Sequence, residues 1–197
     1  MHIALIARWV ALSVLAVGPP SGHATGSALD QQLARSLGGA GAGQGGSTKL
    51  HESPAGHWML QQDPKTPGMS CAITFHAAPS KGRILGFLGP SDNSAVGAIL
   101  FVGPQIPQTS AARQVSVRLD TSGDPSQTVK AMHLPQSPER SVLAVAMEMK
   151  TTVSAIDDVE TVTLQMGGGT VFQIDYQGGH AARDALLKCM AAGKGQR

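Results

Sequence analysis

The chain has 197 residues, 15 Lys and Arg against 13 Asp and Glu, and only 4% aromatic residues. A net charge of +2 without clustering by sign excludes the basic footprint of a nucleic-acid binder, and so few rings exclude a stacking platform for bases or sugars. With 24 glycines and 12 prolines, it is rich in turns yet long enough to bury a core.

Residues 1–24 have the three-part design of a secretory signal peptide. Arg8 supplies the charge, Trp9 through Val17 a short apolar run, and Gly18, Pro19 and Pro20 the break. Gly22 and Ala24 place small residues around a cut before Thr25. The apolar run falls far short of the roughly 20 residues that span a bilayer. No cysteine follows it for lipid attachment. The expectation is a soluble exported protein, periplasmic or secreted, with no transmembrane segment after cleavage.

Residues 25–50 are expected to form a flexible Gly-rich segment. Within it, Leu29, Leu33 and Leu37 recur at four-residue spacing and suit a short helix over 28–37. Residues 38–47 are a linker by composition.

A β-rich domain is expected over 51–190, starting near Gly56 or Trp58, with a tail at 191–197. Trp58-Met59-Leu60 and Ala72-Ile73-Thr74-Phe75 read as strands, as do the apolar runs from Arg83 to Leu88 and from Ala98 to Val102. Val115, Val117 and Leu119 alternate, Asp120 to Asp124 turns the chain, and Thr128 to Leu134 returns. Glu139 to Lys150 fits both periods: Val142, Ala146 and Met149 at helical spacing, Leu143, Val145 and Met147 in alternation. Its Ala, Met, Glu and Lys content favours a helix.

The clearest hairpin follows. Val162, Leu164 and Met166 point inward, Gly167-Gly168-Gly169 turns, and Phe172, Ile174 and Tyr176 point inward on the return. After Gly178-Gly179, Ala182, Ala185, Leu186, Cys189 and Met190 form one apolar helical stripe. The fold class is therefore mainly β, sandwich or barrel-like, with a C-terminal helix packed on the sheet, α+β as a whole.

Cys71 and Cys189 form an even pair in an exported chain and are expected to be disulfide-bonded. Closing so long a loop stabilises by roughly 4–5 kcal/mol in the chain-entropy model. A nucleophilic Cys71 with His76 or Ser70 is the weaker alternative, because no third orienting group is identifiable. His51, His57, His76, His133 and His180 make no recognisable zinc spacing. His51 and His57, with Glu52, read as solvated linker residues that at most chelate a metal adventitiously. Asp157, Asp158 and Glu160 read as a solvated strand end rather than a calcium site or a glycosidase pair. The triple glycine lacks the Lys and Ser/Thr of a phosphate loop, and no G-x-S-x-G occurs. No catalytic, cofactor-binding or metal residue is assigned, and no cofactor.

Trp58 ahead of the Cys71-Ala72-Ile73 strand, and the ending from Phe172 to Cys189, resemble small exported proteobacterial proteins of the invasion-associated locus B family. That resemblance implies a β-rich exported domain without established catalytic machinery. The chain differs from the pattern in its long glycine leash, in its single cysteine near the N-terminal strand, and in Gly178-Gly179 where one glycine is usual. The functional expectation is a non-catalytic domain that binds a protein or envelope component. The alternatives are an envelope hydrolase whose site is assembled from distant residues, and a folding accessory using exposed methionines such as Met147, Met149 and Met166.

Overall fold

A computed structural model describes residues 46–62, 71–78, 82–90, 95–137 and 140–192. The expected signal peptide, the helix expected over 28–37, most of the expected linker and the tail from 193 lie outside the described residues.

Ten strands are described: β1 Gly46–Ser53, β2 Gly56–Gln62, β3 Ala72–Ala77, β4 Ile84–Leu88, β5 Val96–Val102, β6 Arg113–Thr121, β7 Gln127–Ser137, β8 Arg140–Glu148, β9 Val159–Met166 and β10 Gly169–Gln177. Two helices accompany them, α1 Met149–Ser154 and α2 Gly179–Ala192. The strands form one antiparallel sheet in the order β1-β2-β3-β4-β5-β8-β7-β6-β9-β10. No helix among the described residues is long and apolar enough to cross a membrane.

The sheet curls on itself. Trp58 of β2 donates its indole N–H to the Gln177 carbonyl at the end of β10, 2.9 Å away. Its ring meets Tyr176 edge-on at 5.2 Å, and Phe101 of β5 meets Phe172 of β10 in the same way at 5.3 Å. Inward residues of every strand from β2 to β10 thus share a single core. The alternation of Val117 with Leu119, and of Phe172 with Ile174 and Tyr176, supplies that inner face, as the sequence leads one to expect.

α2 packs against β1, β2 and β3, with Ala182, Leu186 and Cys189 buried in the same core. The Cys71 and Cys189 sulfurs stand at bonding distance, 2.08 Å, with Cα atoms 6.0 Å apart. This ties the start of β3 to the last turns of α2. Gly178 before the helix and Gly179 at its first position are both required. Gly178 has φ of +77°, a left-handed conformation that side chains resist. A Cβ on Gly179 would lie 1.9 Å from the Asp157 carbonyl oxygen.

Three expectations need correction. Residues 140–148 are a strand, not a helix; only Met149–Ser154 is helical. β8 lies between β5 and β7, with Leu143 and Val145 in the inner core and Val142 and Ala144 in a second apolar cluster on the outer face. A strand buried on both faces shows a continuous apolar run, which periodicity does not separate from a helix. The sheet also begins earlier than expected, since Gly46 to Leu50 belong to β1 rather than to a flexible segment. His51 and His57 consequently sit in β1 and β2, not in a linker.

Candidate functional site

A partly open cavity of about 100 Å³ lies within the curl of the sheet. Its walls are apolar: Leu85 and Phe87 from β4, Ile99 and Phe101 from β5, Leu119 from β6 and Val162 from β9. Its other end is polar. Thr121 closes β6, Asp124 follows in the turn, Thr152 comes from α1, Asp157 from the loop after it, Glu160 from β9 and Tyr176 from β10. The short helix α1 thus places one hydroxyl and leads directly into the acidic loop.

The hairpin positions the central pair. Gly167 and Gly168 both have positive φ, +61° and +85°, as the two central residues of a type I′ turn require. A bulge between Thr170 and Phe172 then shifts the register so that Tyr176 stands opposite Glu160. The Tyr176 hydroxyl donates to Glu160 Oε2 at 2.5 Å.

Burial pushes the Glu160 carboxyl above the ordinary glutamate range. The Tyr176 hydrogen bond pulls it back, and the nearby charge of Asp157 adds to the upward push. The same burial, followed by the charge of Glu160, pushes the Tyr176 hydroxyl far up, so it stays a donor. The Thr121 hydroxyl oxygen is buried without a well-formed hydrogen bond, yet it is near enough to Glu160 to lower its carboxyl slightly. This end of the cavity therefore concentrates negative charge and hydroxyl groups, while the rest is hydrocarbon.

Asp157, Asp158 and Glu160, close neighbours in the chain, separate into distinct roles: Asp157 and Asp158 are exposed at the strand end, as expected, whereas Glu160 is half-buried. Asp157 and Glu160 line the cavity. Asp158 caps α2 from outside, its carbonyl accepting from the Gly179 N–H at 3.0 Å and its carboxylate from the His180 N–H at 3.2 Å. That carboxylate stands where the positive end of the helix dipole favours an anion.

The histidines do not converge on the cavity. His57 and His76 stack across β2 and β3 with ring centres 5.2 Å apart, and the Thr74 hydroxyl meets His76 Nε2 at 3.0 Å. Burial, then the charge of His57, pushes His76 below its ordinary value. His133 is buried and bonds the Pro107 carbonyl at 2.8 Å. Among the described residues, no three of His, Cys, Asp and Glu gather as metal ligands. With its sulfur in the bridge, Cys71 offers no thiol for nucleophilic attack. Met149 is fully buried, and Met147 and Met166 pack against the core.

No protein-family model, curated protein or solved structure matches the chain. What the cavity does must follow from its own chemistry.

Proposed function

We propose that the chain is an exported, non-catalytic binding domain of the periplasm or extracellular space, whose cavity takes a compact apolar group carrying a cationic head. The observation that carries this reading is the cavity itself, apolar along one side and lined at the other by Glu160, Asp157 and Asp124. At about 100 Å³ it is smaller than the roughly 300–1,000 Å³ of sites for drug-sized molecules. A short alkyl chain or a single ring fits that volume. A cation beside the three carboxylates relieves their mutual repulsion, whereas an anion adds to it. The ligand is thus an amine or another small organic cation, free or borne by a protein or envelope component.

Support for export comes from the signal-like residues 1–24 and from the Cys71–Cys189 pair, which suits an oxidising compartment. The resemblance to the invasion-associated locus B family points the same way. A mature N-terminus near Thr25 is expected in intact-mass measurement of the exported protein. Recovery of the full 197 residues from the envelope would count against processing.

Binding is tested by NMR titration of the mature protein with n-butylammonium and, separately, with butyrate. Shifts at Thr121, Glu160 and Tyr176 with the amine alone are expected. No shifts, or equal shifts with butyrate, would remove the proposal. The hydrolase reading has one feature in its favour, a carboxyl held toward its protonated form near a second carboxylate, Asp157. Turnover of an envelope glycan or peptide that disappears in Glu160→Gln would decide for it.

A further inference from the structure

The sheet has a second apolar face, on the outside of the curl. Leu88, Ala98, Leu100, Val102, Val142 and Ala144 form a cluster there, separate from the inner core and no more than 3% exposed. Among the described residues, every member of this cluster, and every partly buried apolar side chain packed against it, belongs to a strand of the sheet. α2 packs into the other cluster. An apolar sheet face so withdrawn from water calls for a cover.

We propose that residues 28–37 of the same chain dock on this outer face as an amphipathic helix. The register shows where the preceding chain arrives. Ser47 pairs with Gln61, Gln61 with Ala72, Ala72 with Leu88 and Leu88 with Ala98. Directly paired residues share a face, so β1 begins on the row that carries the Ala72–Leu88–Ala98 side of the cluster. From β1 to β5 is four strand spacings, about 19 Å. The glycine-rich stretch between Leu37 and Gly46 reaches about 30 Å when extended, enough to cross that distance and turn.

The shapes agree as well. Leu29, Leu33 and Leu37 lie along one side of a helix over about 12 Å. On β4 and β5 the cluster spans five residues, Ile84 to Leu88 and Ala98 to Val102, a length of about 13 Å. Ala98, Ala144 and Gly86 are the small residues of this face, beside Leu88, Leu100 and Val142. A Cβ on Gly86 would rest in ordinary contact with Leu100 at 3.4 Å and Thr74 at 3.5 Å. Gln31 and Arg35 fall on the opposite side of that helix, toward solvent, and Asp30 flanks the leucine stripe. The glycine-rich stretch that follows is then a connector of sufficient length.

The test uses the mature chain with its disulfide intact. A photoreactive phenylalanine analogue replacing Leu33 should form an intramolecular cross-link to β5 or β8, mapped by mass spectrometry. Hydrogen exchange at residues 28–37 should be slowed at least tenfold relative to an unstructured peptide, and Leu33→Asp should abolish that protection while raising binding of an apolar dye. Near-UV circular dichroism verifies that this variant retains the fold. Exchange at the unstructured rate in the unsubstituted protein, or cross-links only between chains in a concentration-dependent dimer, would overturn the proposal.

Discussion

Tyr176 shows how one hydroxyl links core packing to the cavity. Its ring packs against Trp58 and Phe75, yet a buried phenol must find a hydrogen-bond partner, and Glu160 supplies it. Tyr176→Phe removes a donor from a half-buried carboxyl, so a loss of about 1–3 kcal/mol in denaturant unfolding is expected, with Glu160 titrating higher still. Because the folded-state value of Glu160 is raised above 4.5, the folded protein holds that proton while the unfolded chain has released it. Stability contributed by this group is full below about 4.5 and declines as pH rises through the raised value. The proposed amine binding should have the opposite sign: it should strengthen over that same rise, as Glu160 ionises, and release a proton. A binding isotherm for n-butylammonium that is flat across the Glu160 titration would contradict this linkage. His76 behaves in the other direction, since its value is lowered below 6.5. The unfolded chain takes up a proton near 6.5 that the folded protein refuses, so stability falls as pH drops from about 6.5 toward the lowered value. His57→Ala removes the neighbouring charge, and the His76 ring resonances should then titrate at higher pH.

At the scale of elements, the C-terminal hairpin and helix are the most legible part of the sequence. Strict alternation names the inward residues Val162, Leu164, Phe172, Ile174 and Tyr176, and the i, i+4, i+7 stripe names Ala182, Leu186 and Cys189. What alternation does not reveal is the bulge near Val171. A two-residue turn with unbroken pairing would set Tyr176 opposite Val159; the bulge sets it opposite Glu160 instead. The core residues were therefore readable and the Tyr176–Glu160 pair was not. β8 was hidden for a different reason: its neighbours on both sides and both faces override the helix preference of its Ala, Met and Glu residues. β1 was hidden by its polar composition, because an edge strand exposed along much of its length carries little apolar signal. The Gly178-Gly179 junction tests how tightly these elements are fitted. Gly179→Ala drives a methyl against the Asp157 carbonyl and should cost about 1–3 kcal/mol, read from the denaturation midpoint. It should also disturb the cavity, since Asp157 lines it. A wild-type midpoint and unchanged Asp157 resonances would show that the junction relaxes freely.

At the scale of the whole molecule, the bridge and the cap hold opposite ends of one helix. Asp158 fixes the first turn of α2 to the loop before β9, and Cys189 fixes its last turns to the start of β3. Between them, Ala182 and Leu186 seal the core beneath β2 and β3. The helix therefore joins the two ends of a sheet whose edge strands, β1 and β10, are not adjacent in its order. Cys189→Ala opens a covalent loop of 118 residues and should weaken the protein by about 2–5 kcal/mol. The loss should appear first as faster hydrogen exchange in the last turns of α2, while its first turn keeps the Asp158 cap. Cys71 and Cys189 are absent from the cavity lining, whereas Asp157 stands next to the cap. Amine binding should accordingly survive Cys189→Ala at temperatures where the fold persists, and weaken in Asp158→Ala, which loosens the loop carrying Asp157. Loss of binding in Cys189→Ala with the first turn of α2 still protected would mean that the helix shapes the cavity through the β3 end rather than through its cap.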